Sequence, residues 1–396
     1  MHIAMFTNNY KPFVGGVPIS IESFANEFRK LGHQVTIFAP EYKSDLQDEQ
    51  DIIRIPSLKM IKYGDACLPI PLSGLSNLKD ELLDLQVDLV HSHHPFFLGR
   101  VGQKLAHKLN LPMVYTYHTR YTEYCSHLPA GIDKICATTL EKIVKVFCND
   151  SDLIFTPTKG MTDHLIEMGI NTKIEVIPTG IDFNKYSKLE EENLELPLQF
   201  AEQVENILLF VGRLGSEKNI DFLISSLEQT LSSRPRTKLL IVGDGPERES
   251  LVELTVELGI EDKVIFMGNL EHEQLIKLYK LADLFVFSSL VETQGIVILE
   301  AFAGQTPVVA LEGTGVRDII TSGEDGFLLT PGDSSVFREQ VERLLVNDEL
   351  RARMGQNALQ KAKEYNISNL AEKVLASYRR LKFEYQGREK VKTALD

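Results

Sequence analysis

Cysteine is scarce in this 396-residue chain: Cys67, Cys125, Cys136 and Cys148 are the four, and no two form a C-x-x-C pair. That spacing excludes the common zinc and dithiol motifs, and scattered thiols in so long a chain fit a reducing compartment. No run of 18 or more apolar residues is present, so no membrane-spanning helix is expected. The opening MHIAMFTNNY has neither a basic stretch nor a long apolar core, and it is not read as a signal peptide. Basic residues are in deficit, with 42 Lys and Arg against 56 Asp and Glu and a formal net charge of −14. Nucleic acid is a poor partner for such a surface, because phosphate binding calls for a basic face. The deficit is uneven: residues 1–180 hold 17 basic and 20 acidic side chains, so most of the negative charge lies beyond them. The first half therefore tolerates an anionic surface better than the second. The expectation is a cytoplasmic protein with room for contact at the inner face of the cell membrane.

What is present is a repeating strand–turn–helix pattern. An apolar strand at 3–6 is followed by Gly15-Gly16 and by a helix in which Val17, Ile21, Phe24, Phe28 and Leu31 recur at helical spacing. A second strand follows at 35–39. Strand, glycine loop, helix, strand is one βαβ unit and implies a parallel sheet. Further strands are expected at 87–91, 113–117, 153–157 and 174–178, with a helix at 99–108. The charged, poorly periodic KLEEENLEL at 188–196 reads as a linker. Six more strands follow, at 207–211, 238–242, 264–267, 284–287, 307–310 and 327–329, each ending in small or polar residues. An amphipathic helix is expected at 367–384, with a frayed, polar end after it. The fold class is α/β, with two Rossmann-like doubly wound domains at 1–180 and 181–366. In such sheets ligands bind beyond the carboxyl ends of the strands, so the chemistry is sought there.

The sharpest signal is Val291-Glu292-Thr293-Gln294-Gly295-Ile296-Val297-Ile298-Leu299-Glu300-Ala301. Gly295 permits a tight backbone at a helix start, where free N–H groups and the positive dipole end favour a diphosphate. Glu292 precedes that point, and Glu300 lies about 7–8 Å further along the axis. A nucleotide-sugar has the matching layout of sugar hydroxyls, diphosphate and ribose hydroxyls. In Gly212-Arg213-Leu214-Gly215-Ser216-Glu217-Lys218, Arg213 and Lys218 can neutralise a diphosphate leaving group, one as a fork and one as a point charge. Gly15 and Gly16 can bring backbone amides to the same anion. His118 ends a strand, where it can hydrogen-bond a sugar hydroxyl or handle a proton near neutral pH. Structural alternatives compete at each site: an N-terminal helix carboxylate, solvated cations, a satisfied histidine. His91-Ser92-His93-His94-Pro95 is not read as a zinc site, since neighbours on a strand cannot face one ion. Asp150-Ser151-Asp152 precedes its strand, at the wrong end of the sheet, and is read as a loop and cap.

Together these segments resemble glycosyltransferase family 4, retaining enzymes of GT-B fold, over nearly the whole chain. The resemblance rests on Glu292 to Glu300, on Gly15-Gly16-Val17, on Arg213 with Lys218, on Val242–Pro246 around Gly243, and on Ile177–Asp182. It implies two domains facing across a cleft, with the C-terminal helix, 367–396, packed back on the first. It implies that Glu292 binds the donor sugar, aided by Thr293, Gln294, Gly295 and Ile296, and that Glu300 binds the ribose. Arg213 and Lys218 would hold the diphosphate, His118 would lie near the reacting centre, and the base would sit near Gly268, Asn269 and Leu270. No metal and no cofactor beyond the UDP-sugar co-substrate is implied. Gln294 stands where many members carry Phe.

Finer detail is similar to the bacterial diacylglycerol glucosyltransferases, which take UDP-glucose and glucosylate a membrane lipid. It lies in Tyr117-His118-Thr119-Arg120-Tyr121-Thr122-Glu123-Tyr124, in His127-Leu128-Pro129, and in His93-His94-Pro95-Phe96. His93, His94, Arg120, Tyr121 and Tyr124 are thus acceptor-side candidates. A helix at 132–147 carrying Lys134, Lys142 and Lys145, and an apolar loop at 66–75, are candidate membrane contacts. Three other readings stand beside this one. They are transfer to a soluble glycan or small molecule, a nucleotide-sugar epimerase, and a sugar-nucleotide-binding regulator without activity. The complete set of Arg213, Lys218, Glu292, Glu300 and His118 counts against the last.

Overall fold

The computed structural model describes residues 1–13, 15–42, 51–63, 66–71, 75–122, 125, 131–188 and 204–395. Tyr124, His127-Leu128-Pro129 and nearly all of the expected linker lie outside the described residues. The chain divides into two compact units, Met1–Thr179 with Ile367–Asp396, and Gly180–Asn366. The division falls one residue before the expected boundary.

The first unit is built on β1 (His2–Phe6), β2 (Gln34–Pro40) and β3 (Ile52–Ile55), then the hairpin β4 (Ser57–Tyr63) and β5 (Ala66–Pro71), then β6 (Leu89–Ser92), β7 (Met113–Thr116), β8 (Leu153–Thr156) and β9 (Ile174–Val176). Seven of these form one sheet in the order β3-β2-β1-β6-β7-β8-β9, parallel throughout. Alternate side chains enter opposite cores: Ala4 and Phe6 join one cluster, Ile3 and Met5 the other. A strand buried on both faces needs apolar residues at every position, which is why β1 shows no polar alternation. The second unit repeats the plan with β10 (Asn206–Val211), β11 (Thr237–Val242), β12 (Val264–Gly268), β13 (Leu284–Phe287), β14 (Val308–Leu311) and β15 (Gly326–Leu329). Their order is β12-β11-β10-β13-β14-β15, again all parallel. In each unit the order reverses direction beside the first strand, which is where doubly wound sheets open a binding crevice.

Three expectations are corrected. The apolar stretch from Ala66 forms strand β5, paired antiparallel with β4, and not a loop. The cysteines are not all separate thiols: Cys125 and Cys136 form a disulfide with their Cα atoms 6.0 Å apart. They are eleven positions apart, and Cys136 lies near the start of helix Ile132–Asn149. Cys148 is free and buried, with burial pushing its thiol up to about 12. Finally, the last helix runs from Ile367 to Leu395, past the expected stop at Glu384. Gly387 is the sole helix-weakening residue in that extension; the rest are helix formers or neutral.

This last helix belongs to the first unit. Ala371, Val374, Leu375, Tyr378 and Leu381 are buried in the cluster that also contains Ile3, Met5, Val35 and Ile37. Polar ties flank them: Ser368 to Glu27 at 2.7 Å, Ser377 to Glu175 at 2.6 Å, and Tyr385 to Asp152 at 2.7 Å. Leu375→Ala should therefore cost about 2–5 kcal/mol. Calorimetry should show the loss in the transition of the first unit, and a second-unit transition that stays put.

Candidate functional site

In the second unit, chemistry collects after β10 and β13. The turn Ser216–Lys218 is held from below by the Ser pair that follows β13. Ser288 Oγ donates to the Lys218 carbonyl at 2.8 Å, and Ser289 Oγ to that of Glu217 at 3.3 Å. This brings Lys218 Nζ within 2.5 Å of Glu292 Oε1. Both side chains are mostly buried, at 18% and 15% exposure, so the pair is only partly screened. Arg213 makes a looser contact, 3.5 Å, with Glu217. Each cation of this edge thus faces a carboxylate of its own.

Glu292 leads into the helix Ile296–Ala303, for which Gly295 is the N-cap with φ 77°. That left-handed backbone favours glycine over any side chain, and it opens the helix shortly after Glu292 in the chain. Gly315 seals the other side, its N–H donating to the Glu292 carbonyl at 2.8 Å. Gly243, with φ 129°, accepts close approach as well: a Cβ there would lie 1.9 Å from the Gly212 carbonyl oxygen. Gly243 N–H donates to the Gly268 carbonyl at 2.8 Å. This pins the loops after β10, β11 and β12 side by side. Asn269 is exposed, while Leu270 packs partly on the core. Gln294 is buried.

Glu300 is the one polar residue in the helix sequence IVILEAFA. It is 8% exposed. Burial pushes its carboxyl up to about 7, opposed by a hydrogen bond from Tyr279 Oη at 3.0 Å and by the charge of Lys185. His272 Nδ1 stands 3.8 Å away.

In the first unit, Gly15 and Gly16 open the helix Gly16–Lys30 after β1. Four histidines are buried nearby at the carboxyl edge of β6 and β7: His91, His93, His94 and His118. His93 Nδ1 and His118 Nε2 are 2.9 Å apart. His94 Nδ1 accepts from the Asn8 backbone N–H at 3.2 Å, so it ties two loops together. Burial holds His91 and His94 down to about 3, and holds His93 and His118 well below their ordinary range. The expectation that His118 exchanges a proton near neutral pH is corrected accordingly: a desolvated imidazole stays neutral there. Tyr121 is also placed differently, because its ring packs edge-on to Phe96 at 5.0 Å within the core. Arg120 is half-buried, and its charge, after burial, helps hold His164 down.

Glu217, Ser288, Tyr279, Thr116 and Tyr378 are the members that sequence reasoning gave no role. Glu217 sits inside a quoted segment and Ser288 directly follows the expected strand at 284–287, so their position was visible. Tyr279 and Tyr378 lie on helices far along the chain from their partners and carry no local signal.

Two parallel sheets with phosphate-suited loops at their carboxyl edges define a glycosyltransferase of GT-B fold. A domain profile described as Glycosyltransferase Family 4 matches residues 14–185, and one described as Glycosyl transferases group 1 matches 198–361. The chain is 33% identical to an alpha-monoglucosyldiacylglycerol synthase of Streptococcus pneumoniae, over 83% of this chain and 75% of that one. It is 30% identical to a D-inositol 3-phosphate glycosyltransferase of Nocardia farcinica, over 94% and 86%. Among solved structures, HepE of Anabaena in complex with UDP shares the fold, with a TM-score of 0.77 at 20% identity, covering 96% of this chain and all of that one. The chain belongs to glycosyltransferase family 4.

Glu300 makes a testable contribution to stability. Its folded value lies above its unfolded one, so the folded state holds an extra proton between about pH 4.5 and 7. Stability is therefore lost as pH rises through that window, by up to about 3 kcal/mol for a shift of this size. Glu300→Gln should raise Tm more at pH 8 than at pH 5. Equal gains at both would show that the carboxyl is ionised throughout.

Proposed function

We propose that this glycosyltransferase moves a hexose, glucose first among candidates, from a UDP-sugar to a membrane lipid such as diacylglycerol, with retention and without a metal. The observation that carries the donor half is the Lys218–Glu292 pair set before the Gly295 helix start. A diphosphate arriving there meets two cations and free helix amides, and takes over from the carboxylates as their partner. Glu292, released from Lys218, is then free to accept from sugar hydroxyls. Glu300, one and a half turns along the same helix, accepts from the ribose diol. HepE, of the same fold, holds UDP, which supports uracil as the base.

In the proposed reaction the bond from the sugar C1 to the diphosphate oxygen breaks while the acceptor oxygen bonds C1 on the same face. The acceptor proton passes to the departing phosphate oxygen. Arg213 and Lys218 stabilise the charge on that leaving group, and His118 hydrogen-bonds the sugar as a neutral group. In this reading Glu292 binds sugar hydroxyls and no other described side chain of the donor site is assigned as a nucleophile, so front-face attack is the route proposed. Lys218→Ala and Glu292→Ala should each lower transfer by at least about a hundredfold, with a lowered Tm from the charge left unpaired and native secondary structure retained at the assay temperature. Full activity in either variant would end the donor assignment.

The lipid half has two supports. One is the similarity to a glucosyldiacylglycerol synthase. The other is the helix Ile132–Asn149. Ile132, Ile135, Ile143 and Val146 are 56, 71, 41 and 57% exposed, and at 100° per residue they share one stripe with Thr139. Lys142 and Lys145 flank that stripe on one side and are also exposed. An apolar stripe with a basic flank suits the surface of a bilayer with anionic lipids. The described residues contain no helix long and apolar enough to cross a membrane. Ile135→Asp with Val146→Asp should abolish sedimentation with anionic vesicles and leave transfer to a short-chain, dispersed diacylglycerol intact. The Nocardia relative favours a second reading, a soluble polyol phosphate acceptor. Wild-type protein that ignores vesicles and glycosylates only such a polyol would establish it.

A further inference from the structure

The histidine cluster of the first unit has a direction built into its hydrogen bonds. It starts at Tyr378 on the last helix. Tyr378 is fully buried, and its hydroxyl stands 2.6 Å from His91 Nδ1, its one hydrogen bond among the described residues. Tyr378 also lines the cavity described next, so if it accepted there its own proton would enter that cavity in place of the one Thr116 supplies. With the phenol donating, Tyr378 gives its proton to Nδ1 and His91 carries its own on Nε2. That proton goes to Thr116 Oγ1, 2.7 Å away. Thr116 is left with a hydroxyl proton to give.

Thr116 faces a small cavity, with room for about one water molecule, that Ser20, His91, His93 and His118 also line. Ser20 Oγ accepts from Thr179 Oγ1 at 2.8 Å, so it too has a proton to give. The cavity thus receives two hydroxyl protons. The nitrogen that reaches it without a hydrogen-bond partner is His93 Nε2, on a residue 2% exposed. A water bridging these groups accepts both hydroxyl protons and gives one of its own to His93 Nε2, which satisfies the two hydroxyls and the imidazole. With Nε2 as acceptor, a neutral His93 must carry its proton on Nδ1. Nδ1 faces His118 Nε2 at 2.9 Å. His118 Nε2 is then the acceptor, and the His118 proton lies on Nδ1, the ring atom with no partner among the described residues.

We propose that His93 is a positioning residue for sugar transfer: through its Nδ1–H it fixes His118 in the tautomer that offers Nδ1–H to an oxygen of the bound sugar. This goes beyond the role proposed for His118 and rests on it. It assigns to the bridging water, to Thr116 and to Tyr378 a part in keeping that tautomer. It also makes His118 a donor and not a base, so the reaction has to place the acceptor proton elsewhere, on the departing phosphate.

Two variants separate position from bulk. His93→Asn places an amide N–H where Nδ1–H now sits; His93→Gln places its amide near Nε2 and loses the contact with His118. Ring-nitrogen NMR of the 15N-labelled full chain, with His118→Ala to assign the signals, should show wild-type His118 protonated on Nδ1. His93→Asn should keep that signature, and His93→Gln should mix the two tautomers. With UDP-glucose and a short-chain diacylglycerol, His93→Gln should lower kcat by at least about tenfold, with KM for the sugar nucleotide moving less than about twofold. His93→Asn should recover most of that loss. Wild-type His118 protonated on Nε2, or equal kcat losses in the two variants with the fold intact, would overturn the proposal. Wild-type transfer by His118→Ala would instead remove the role of His118 in catalysis, whatever tautomer the spectra show.

Discussion

Parallel strand pairing is the constraint on which the rest of this structure depends. Every strand of the two main sheets runs the same way as its neighbours, so each sheet has one edge at which all of its strands end. The turns after those strands are forced together whatever their separation in sequence. Lys218 and Glu292 are 74 residues apart and form an ion pair. His93 and His118 are 25 apart and share a hydrogen bond. Neither pair is made by a local motif. Each exists because two strand ends are neighbours, and because helices covering both faces let the strands be apolar from end to end.

The two units use that edge in opposite electrostatic ways. The second unit stores charge: Arg213 and Lys218 each lie beside a carboxylate, in a state that an anionic ligand can exchange. The first unit removes charge: four imidazoles are buried deeply enough to stay neutral. A diphosphate needs the first kind of site, since its charge must be matched. A sugar hydroxyl needs the second, since an uncharged donor orients it without competing for the phosphate. Glu300 lies between these extremes, a carboxyl in an apolar helix whose ionisation is opposed by burial and eased by Tyr279.

Much of this was legible in the sequence because the edge rule converts strand ends into candidate residues. The strands ending before Arg213, Gly243, Gly268 and Ser288 were readable from short apolar runs, and the family resemblance supplied roles for what followed. Three kinds of feature were not readable. Side chains that act from covering helices, such as Tyr279 and Tyr378, satisfy only helical periodicity locally, and periodicity says buried, not partnered. The Cys125–Cys136 pair follows no spacing rule that the sequence alone displays. Tyr121 is named from the resemblance of its segment, and a motif does not tell whether a ring enters a core.

The last helix completes the first unit, yet it is made after the whole of the second unit. On the ribosome, residues 180–366 are all available to fold before Leu375, Tyr378 and Leu381 emerge to cover β1 and β2. The order of synthesis is therefore reversed in the order of completion: the second unit can close on itself while the first still shows an apolar face. A chain cut short anywhere before this helix carries a finished second unit and an unfinished first. His91 then loses its contact with Tyr378. Such a truncated product is marked by the apolar surface it leaves uncovered.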